Sequence, residues 1–149
     1  AYQGRITAKE LVNLGIDTTF IVDSAARTFM SDVDVAFVGA DAITSEGNVV
    51  NKIGTSGIAV IASEARVPFY VVSELLKFNP ETLHGGCEQI EQRNPAEVWA
   101  EAPPQLKVNN PAFDVTPNRY IHGIICEEGI IPPQMVLEIM RKRYPWVFQ

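Results

Sequence analysis

Apolar residues along this chain fall into short blocks, and the blocks alternate between strand-like and helix-like spacing. Val33 to Ala40 is almost wholly apolar, a run of strand length that suits a strand covered on both faces of a parallel sheet. Thr18 to Val22, Val67 to Ser73 and Ile121 to Cys126 read as further strands, with Pro68 near the start of its run, where it disrupts a ladder least. The segments between them carry helical signals. Thr7-x-x-Glu10 is a capping box that predicts a helix over Ala8 to Leu14, ended by Gly15, with Leu11 and Leu14 turned inward. A short helix over Ala25 to Met30 follows, then a longer one from about Asn51 to Ala65. The last helix comes after Pro132-Pro133, with Met135, Val136, Ile139 and Met140 on one face. Phe113-Asp-Val-Thr-Pro117 reads as a strand entering a helix, with Thr116 as N-cap and Pro117 in the first turn. This alternation predicts an α/β fold, a three-layer sandwich built on a mainly parallel sheet with right-handed crossovers.

Residues 77 to 110 interrupt the alternation. Asn79-Pro80, Gly85-Gly86, Asn94-Pro95 and Pro103-Pro104 punctuate them, which predicts a loop, a short helix over Cys87 to Gln92 and an extended excursion. An excursion of that length usually packs on a partner or over a site. The cationic run Arg141-Lys-Arg143 ends the last helix, where it complements the helix dipole.

At 149 residues the chain is one domain long, with 46% hydrophobic and 20% charged residues, an ordinary globular balance. A net charge of -6 argues against direct nucleic-acid binding, since no basic excess is available to neutralise a phosphate backbone. No apolar run approaches the roughly 20 residues that span a bilayer, so no membrane partner is expected. Cys87 and Cys126 are too few for a disulfide framework, and free thiols suit a cytoplasmic protein. His84 and Cys87 offer two metal ligands without a convincing third, so no metal is expected. Neither a dinucleotide fingerprint nor a P-loop is present.

In open α/β sheets, ligands bind at the carboxyl edge of the strands. Asp41 ends the Val33 to Ala40 run at that edge, either as the residue that forms the turn or as a carboxyl whose poor solvation would fit it to exchange protons. Asp23 ends the preceding strand in the same way, and it or Ser24 caps the next helix or meets a ligand. Asn51 is a good N-cap, but Lys52 in a first helical turn opposes the helix dipole unless an anion binds there. Gly54, Thr55, Ser56 and Gly57 allow close backbone or hydroxyl contact with a ligand, or tight packing, the expected role of Gly57. Lys77 follows the third strand and can reach the same edge.

Several motifs in order carry a resemblance that covers the whole chain. They are Gly39-Ala-Asp-Ala-Ile43, Asn51-Lys-Ile-Gly-Thr55, Pro68-Phe-Tyr-Val71 with Ser73-Glu-Leu-Leu-Lys-Phe-Asn-Pro80, and Asn110-Pro-Ala-Phe-Asp-Val-Thr-Pro117. Together they resemble the C-terminal half of the family that unites archaeal ribose-1,5-bisphosphate isomerase, methylthioribose-1-phosphate isomerase and the regulatory subunits of translation initiation factor 2B. The Lys77-Phe78 continuation is more similar to the ribose-bisphosphate branch than to the methylthioribose branch. The resemblance implies a Rossmann-like domain of a longer protein whose helical N-terminal region lies ahead of Ala1. It also implies conversion of ribose 1,5-bisphosphate to ribulose 1,5-bisphosphate without an external cofactor. Asp41 would be the catalytic acid/base, while Asn51, Lys52, Lys77, Gln3 and Gly4 would hold substrate; Arg5 matches a position that varies. A catalytic cysteine would come from the N-terminal half, for neither Cys87 nor Cys126 falls in a matching context. Expected partners are the phosphorylated sugar, a nucleoside monophosphate activator and further copies of the chain, as a dimer through this domain or a hexamer. The alternative is a non-catalytic translation factor subunit, and a further alternative is a methylthioribose-1-phosphate isomerase.

Overall fold

A computed structural model of the chain describes residues 2–86 and 90–149. Three parallel strands form the centre: β1 (Ala36–Val38), β4 (Phe69–Val72) and β6 (Gly123–Cys126). A fourth, β7 (Gly129–Ile131), turns back against β6, so the main sheet has the order β1-β4-β6-β7. Helix α3 (Thr55–Ala65) buries Ala59 and Ala62 completely, and α4 (Val136–Arg143) does the same with Val136 and Met140. Phe69, Val71 and Ile124, all at 0% exposure, hold the middle of this core. Helical spacing predicted the α4 face correctly, though Met135 at its start is exposed.

A second, antiparallel sheet grows out of the end of β1. It comprises β2 (Ala42–Ile43), β3 (Val49–Lys52) and β5 (Phe113–Thr116), in that order. Ile43, Val49 and Thr116 are fully buried along its inner face. The β2–β3 turn is closed by the Gly47 N–H donating to the Thr44 carbonyl at 2.9 Å. Gly47 has φ +80°, and a Cβ there would lie 2.1 Å from the Pro133 carbonyl oxygen, so no other residue fits. Beyond β4 the chain passes beside this sheet, where Phe78 forms an isolated bridge with Ile43 and the Asn79 N–H donates to the Ile43 carbonyl at 2.8 Å.

Several expectations change in the folded chain. Helix α1 spans Gln3–Asn13, so Thr7 lies inside it rather than capping it, and its hydroxyl donates back to the Gln3 carbonyl. No α1 residue is buried, and Leu14 is 75% exposed rather than turned inward. Thr18 to Val22 is not a strand, because no neighbouring strand pairs with it; Phe20 and Val22 are exposed. As a result β1 is an edge strand with β4 as its one neighbour, shorter than the apolar run and exposed at Phe37. A short 3-10 turn, Asp23–Ala25, leads into α2 (Ala26–Met30) with no side-chain cap from Asp23 or Ser24.

The helix expected from Asn51 starts at Thr55, since pairing with β5 draws Val49 to Lys52 into a strand. Thr116 caps no helix. It closes β5, and a 3-10 turn over Asn118–Tyr120 follows Pro117. Residues 87–89 of the expected helix over 87–92, Cys87 included, lie outside the described residues, and Gln92 forms a bridge with Pro111 instead of a helical turn. Among the described residues no helix is long and apolar enough to cross a membrane.

Candidate functional site

At the carboxyl end of β1, the chain passes from the main sheet to the antiparallel one through Gly39 to Asp41. The Asp41 N–H donates to the Val50 carbonyl at 2.8 Å, which ties this corner to β3. Asn51 and Lys52 are the next residues along β3, so three of the expected site residues lie together by backbone pairing alone. Asp41 is exposed in this chain, against the expectation of poor solvation at the end of a buried strand, because β1 is an edge strand.

The side chains after the corner are held in a short relay. The Asn51 Nδ2 donates to Thr55 Oγ1 at 3.1 Å, and that hydroxyl donates to the Lys52 carbonyl at 2.7 Å. With its amide nitrogen engaged, Asn51 keeps a side-chain oxygen that has no partner among the described residues. The Lys52 ammonium lies 5.9 Å from the Phe113 ring centroid, across the strand pair Lys52–Phe113, which orients a flexible stem.

Asp114, the cross-strand partner of Asn51, is the residue that sequence reasoning missed. Its carboxylate accepts from the Gly54 N–H at 2.8 Å and from the Ser56 N–H at 3.1 and 3.2 Å. These are orphan donors at the N-terminus of α3, and a carboxylate there also complements the helix dipole. The Gly54 and Ser56 N–H groups therefore bind a side chain of their own protein, and the Thr55 hydroxyl is engaged with the Lys52 carbonyl. Lys52 precedes the helix, so the dipole penalty expected for it does not arise. Gly57 meets nothing where a Cβ would be, so it is not a packing requirement. Asp114 stands one residue after Phe113 in Asn110-Pro-Ala-Phe-Asp, and an acidic residue following a Pro-containing stretch was the available signal.

A cavity of about 610 Å³ opens over the corner, lined by Tyr2, Gln3, Gly4, Gly39, Asp41, Asn51, Lys52, Arg93 and Phe113. Of the expected residues, it brings together Asp41, Asn51, Lys52, Gln3 and Gly4 from three separate parts of the chain. Lys77 lies elsewhere, exposed at the end of the 3-10 turn Leu75–Lys77 and outside the lining. Arg5 is also outside it, with its guanidinium 4.4 Å from the Tyr2 ring centroid. Asp23 does not reach the cavity either.

Arg93 is the cation that sequence reasoning did not single out. Its Nε and Nη2 donate to the two oxygens of Glu97 at 2.8 and 3.1 Å. That bond raises Arg93 above its ordinary value and holds the Glu97 carboxyl below the usual carboxylate range, with Lys52 among the charges lowering Glu97. Lys52 and the Arg93–Glu97 pair thus share one electrostatic neighbourhood. A carboxylate, two cations and amide groups around one cavity suit a polar, anionic ligand held beside a group that can exchange a proton. A second cavity of about 580 Å³, between residues 80–84 and the C-terminal residues, contains none of the expected site residues.

Comparison with known proteins agrees with the motifs. The model of the Initiation factor 2 subunit family matches residues 1–133. The chain is 52% identical over 147 residues to the ribose 1,5-bisphosphate isomerase of Methanocaldococcus jannaschii, covering 97% of this chain and 48% of that protein. It is 48% identical over 136 residues to the methylthioribose-1-phosphate isomerase of Carboxydothermus hydrogenoformans, covering 87% of this chain and 40% of that protein. Among solved structures, it is similar to a Pyrococcus horikoshii translation initiation factor eIF-2B, with TM-score 0.76 and 38% identity over 89% of this chain and 46% of that one. The likeness makes the fold Rossmann-like, as expected. The chain spans about half the length of the curated relatives it matches.

Proposed function

We propose, since the chain belongs to the Initiation factor 2 subunit family, that the full-length protein is an aldose-ketose isomerase that converts ribose 1,5-bisphosphate to ribulose 1,5-bisphosphate. The observation that carries this reading is the single cavity that joins Asp41 to Asn51 and Lys52. Relatives at 52% identity that bear the name ribose 1,5-bisphosphate isomerase support the choice of substrate.

The reaction rearranges hydrogen within one molecule. Opening the furanose places a proton on the ring oxygen, the hydrogen on C2 moves with its electron pair to C1, and the C2 hydroxyl gives up its proton to become the ketone, so one proton is gained, one is lost and no net oxidant or reductant is consumed. Asp41 gives and takes a proton in this sequence, and a second group, the cysteine implied by the resemblance, exchanges the other. Lys52 binds phosphate, Asn51 accepts from a sugar hydroxyl, and Gln3 and Gly4 bound the cavity. Lys77 lies outside the lining of this cavity. We also propose a cytoplasmic protein that self-associates through this domain and responds to a nucleoside monophosphate.

Asp41→Asn in the full-length protein tests the reading. It preserves shape and removes the titrating group, so turnover of ribose 1,5-bisphosphate falls about 10² or more while calorimetric affinity holds. Near-normal turnover rejects the role of Asp41. The similarity to a structure described as a translation initiation factor favours a second reading, a non-catalytic subunit that retains the cavity. Ligand binding without turnover in the wild-type protein selects that reading.

A further inference from the structure

Building on the sugar-phosphate reading above, we propose that Arg93 is the second phosphate-holding cation of the cavity, set in place by Glu97. A sugar bisphosphate carries two anionic ends, and a cavity that accepts it has to supply donors at two places. Two cations line this cavity, Lys52 from β3 and Arg93 from the excursion between residues 77 and 110. Lys77, expected for such a role, is outside the lining.

The main chain around Arg93 is anchored to the segment that leads into β5. Its N–H donates to the Asn110 carbonyl at 2.8 Å, the Asn110 Nδ2 donates to the Asn94 carbonyl at 3.0 Å, and the Ala112 N–H donates to the Glu91 carbonyl at 2.8 Å. Because Phe113 and Asp114 belong to the same β5, Arg93 is in register with the residues that position Lys52 and Asn51.

The side chain is oriented with equal economy. A guanidinium has five N–H donors in a planar fork, and Glu97 takes one from Nε and one from Nη2. Both Nη1 donors have no protein partner among the described residues, so the fixed plane offers its other edge to an oxyanion, the geometry in which arginine binds phosphate. A purely structural pair would be there to hold the turn over Pro95–Glu97. That turn is already closed by the Ala96 N–H donating to Asn94 Oδ1 at 3.0 Å and the Glu97 N–H donating to the Asn94 carbonyl at 3.0 Å.

The experiment measures binding of ribose 1,5-bisphosphate, ribose 1-phosphate and ribose 5-phosphate to the full-length protein, for wild type, Arg93→Ala, Arg93→Lys and Glu97→Gln. Arg93→Ala is expected to weaken the bisphosphate and one of the two monophosphates by about tenfold to hundredfold, leaving the other monophosphate unchanged. The affected monophosphate identifies the phosphate that Arg93 holds. Arg93→Lys should retain part of that affinity, and Glu97→Gln, which keeps the cation, should lose less than Arg93→Ala. Equal losses for Arg93→Ala and Glu97→Gln would make the pair a structural clamp and overturn the proposal, as would unchanged bisphosphate affinity in Arg93→Ala. If the wild-type protein binds none of the three ligands, the sugar-phosphate reading fails and the role of Arg93 fails with it.

Discussion

The two sheets of this molecule are held by different forces. In the main sheet, β4 and β6 place Phe69, Val71 and Ile124 at 0% exposure between α3 and α4, so its stability rests on apolar area removed from water. In the small antiparallel sheet, the buried row Ile43, Val49 and Thr116 extends only part of the way along the strands. Beyond it, Asn51, Lys52, Phe113 and Asp114 are half-buried or exposed and are ordered by directed bonds instead. Burial is non-directional and tolerates adjustment, whereas a hydrogen-bonded carboxylate sets an angle and a distance. The core supplies the free energy, and the polar end of β3 and β5 supplies the placement of functional groups.

Phe69→Ala in the full-length protein should break the first half of that contrast. Truncating a fully buried phenylalanine leaves a cavity and costs about 3–5 kcal/mol, read by denaturant unfolding, while the protein that remains folded binds sugar phosphate normally. A comparable loss of ligand affinity in the folded fraction would show that core and site are not separable.

Asp114→Ala addresses the other half. Losing the acceptor for Gly54 and Ser56 should cost about 1–2 kcal/mol of stability, as for other helix caps. Ligand affinity should fall as well, because Asn51 and Thr55 adjoin the freed turn, and Asp114→Asn should restore part of both. Stability lost with affinity intact would confine Asp114 to capping. The smallest effect is expected at the end of β5, where the fully buried Thr116 Oγ1 has no hydrogen-bond partner among the described residues. Thr116→Val keeps the branched shape and removes an unpaired hydroxyl, so thermal unfolding should show about 1 kcal/mol of added stability and unchanged binding. A loss of stability would mean that the hydroxyl is satisfied in solution.

Those contrasts also explain what could be read without the structure. The helix over Val136 to Arg143 was legible because helical spacing marks a face wherever a core covers it, as Val136 and Met140 show. The block from Val67 to Ser73 was legible because a continuous apolar run of strand length marks a strand inside a sheet, although only the Phe69 and Val71 face is buried and Val72 on the other face is 50% exposed. The block from Thr18 to Val22 carried the same signal and forms no strand, since apolar character does not supply a pairing partner. Cys87, half of the weak metal pattern with His84, falls outside the described residues.

The site divides along the same line. Asp41, Asn51 and Lys52 could be named in advance because they sit in short, contiguous motifs that resemble those of the family; their residue types alone fit a turn and a helix cap equally well. Arg93 and Asp114 could not, because their roles depend on contacts formed across the fold: the tie from the excursion to the β5 approach, and the reach from β5 to the start of α3. The sequence by itself determined the α/β class, the central strand, the last helix and the residue types that stand at the candidate corner, all properties of local spacing and residue type. Only the tertiary structure decided that Asn51 and Lys52 lie on a strand, that Asp114 occupies the helix N-terminus and that Arg93 faces the cavity. Strand pairing between residues some 60 positions apart is a long-range choice, which local propensity does not encode.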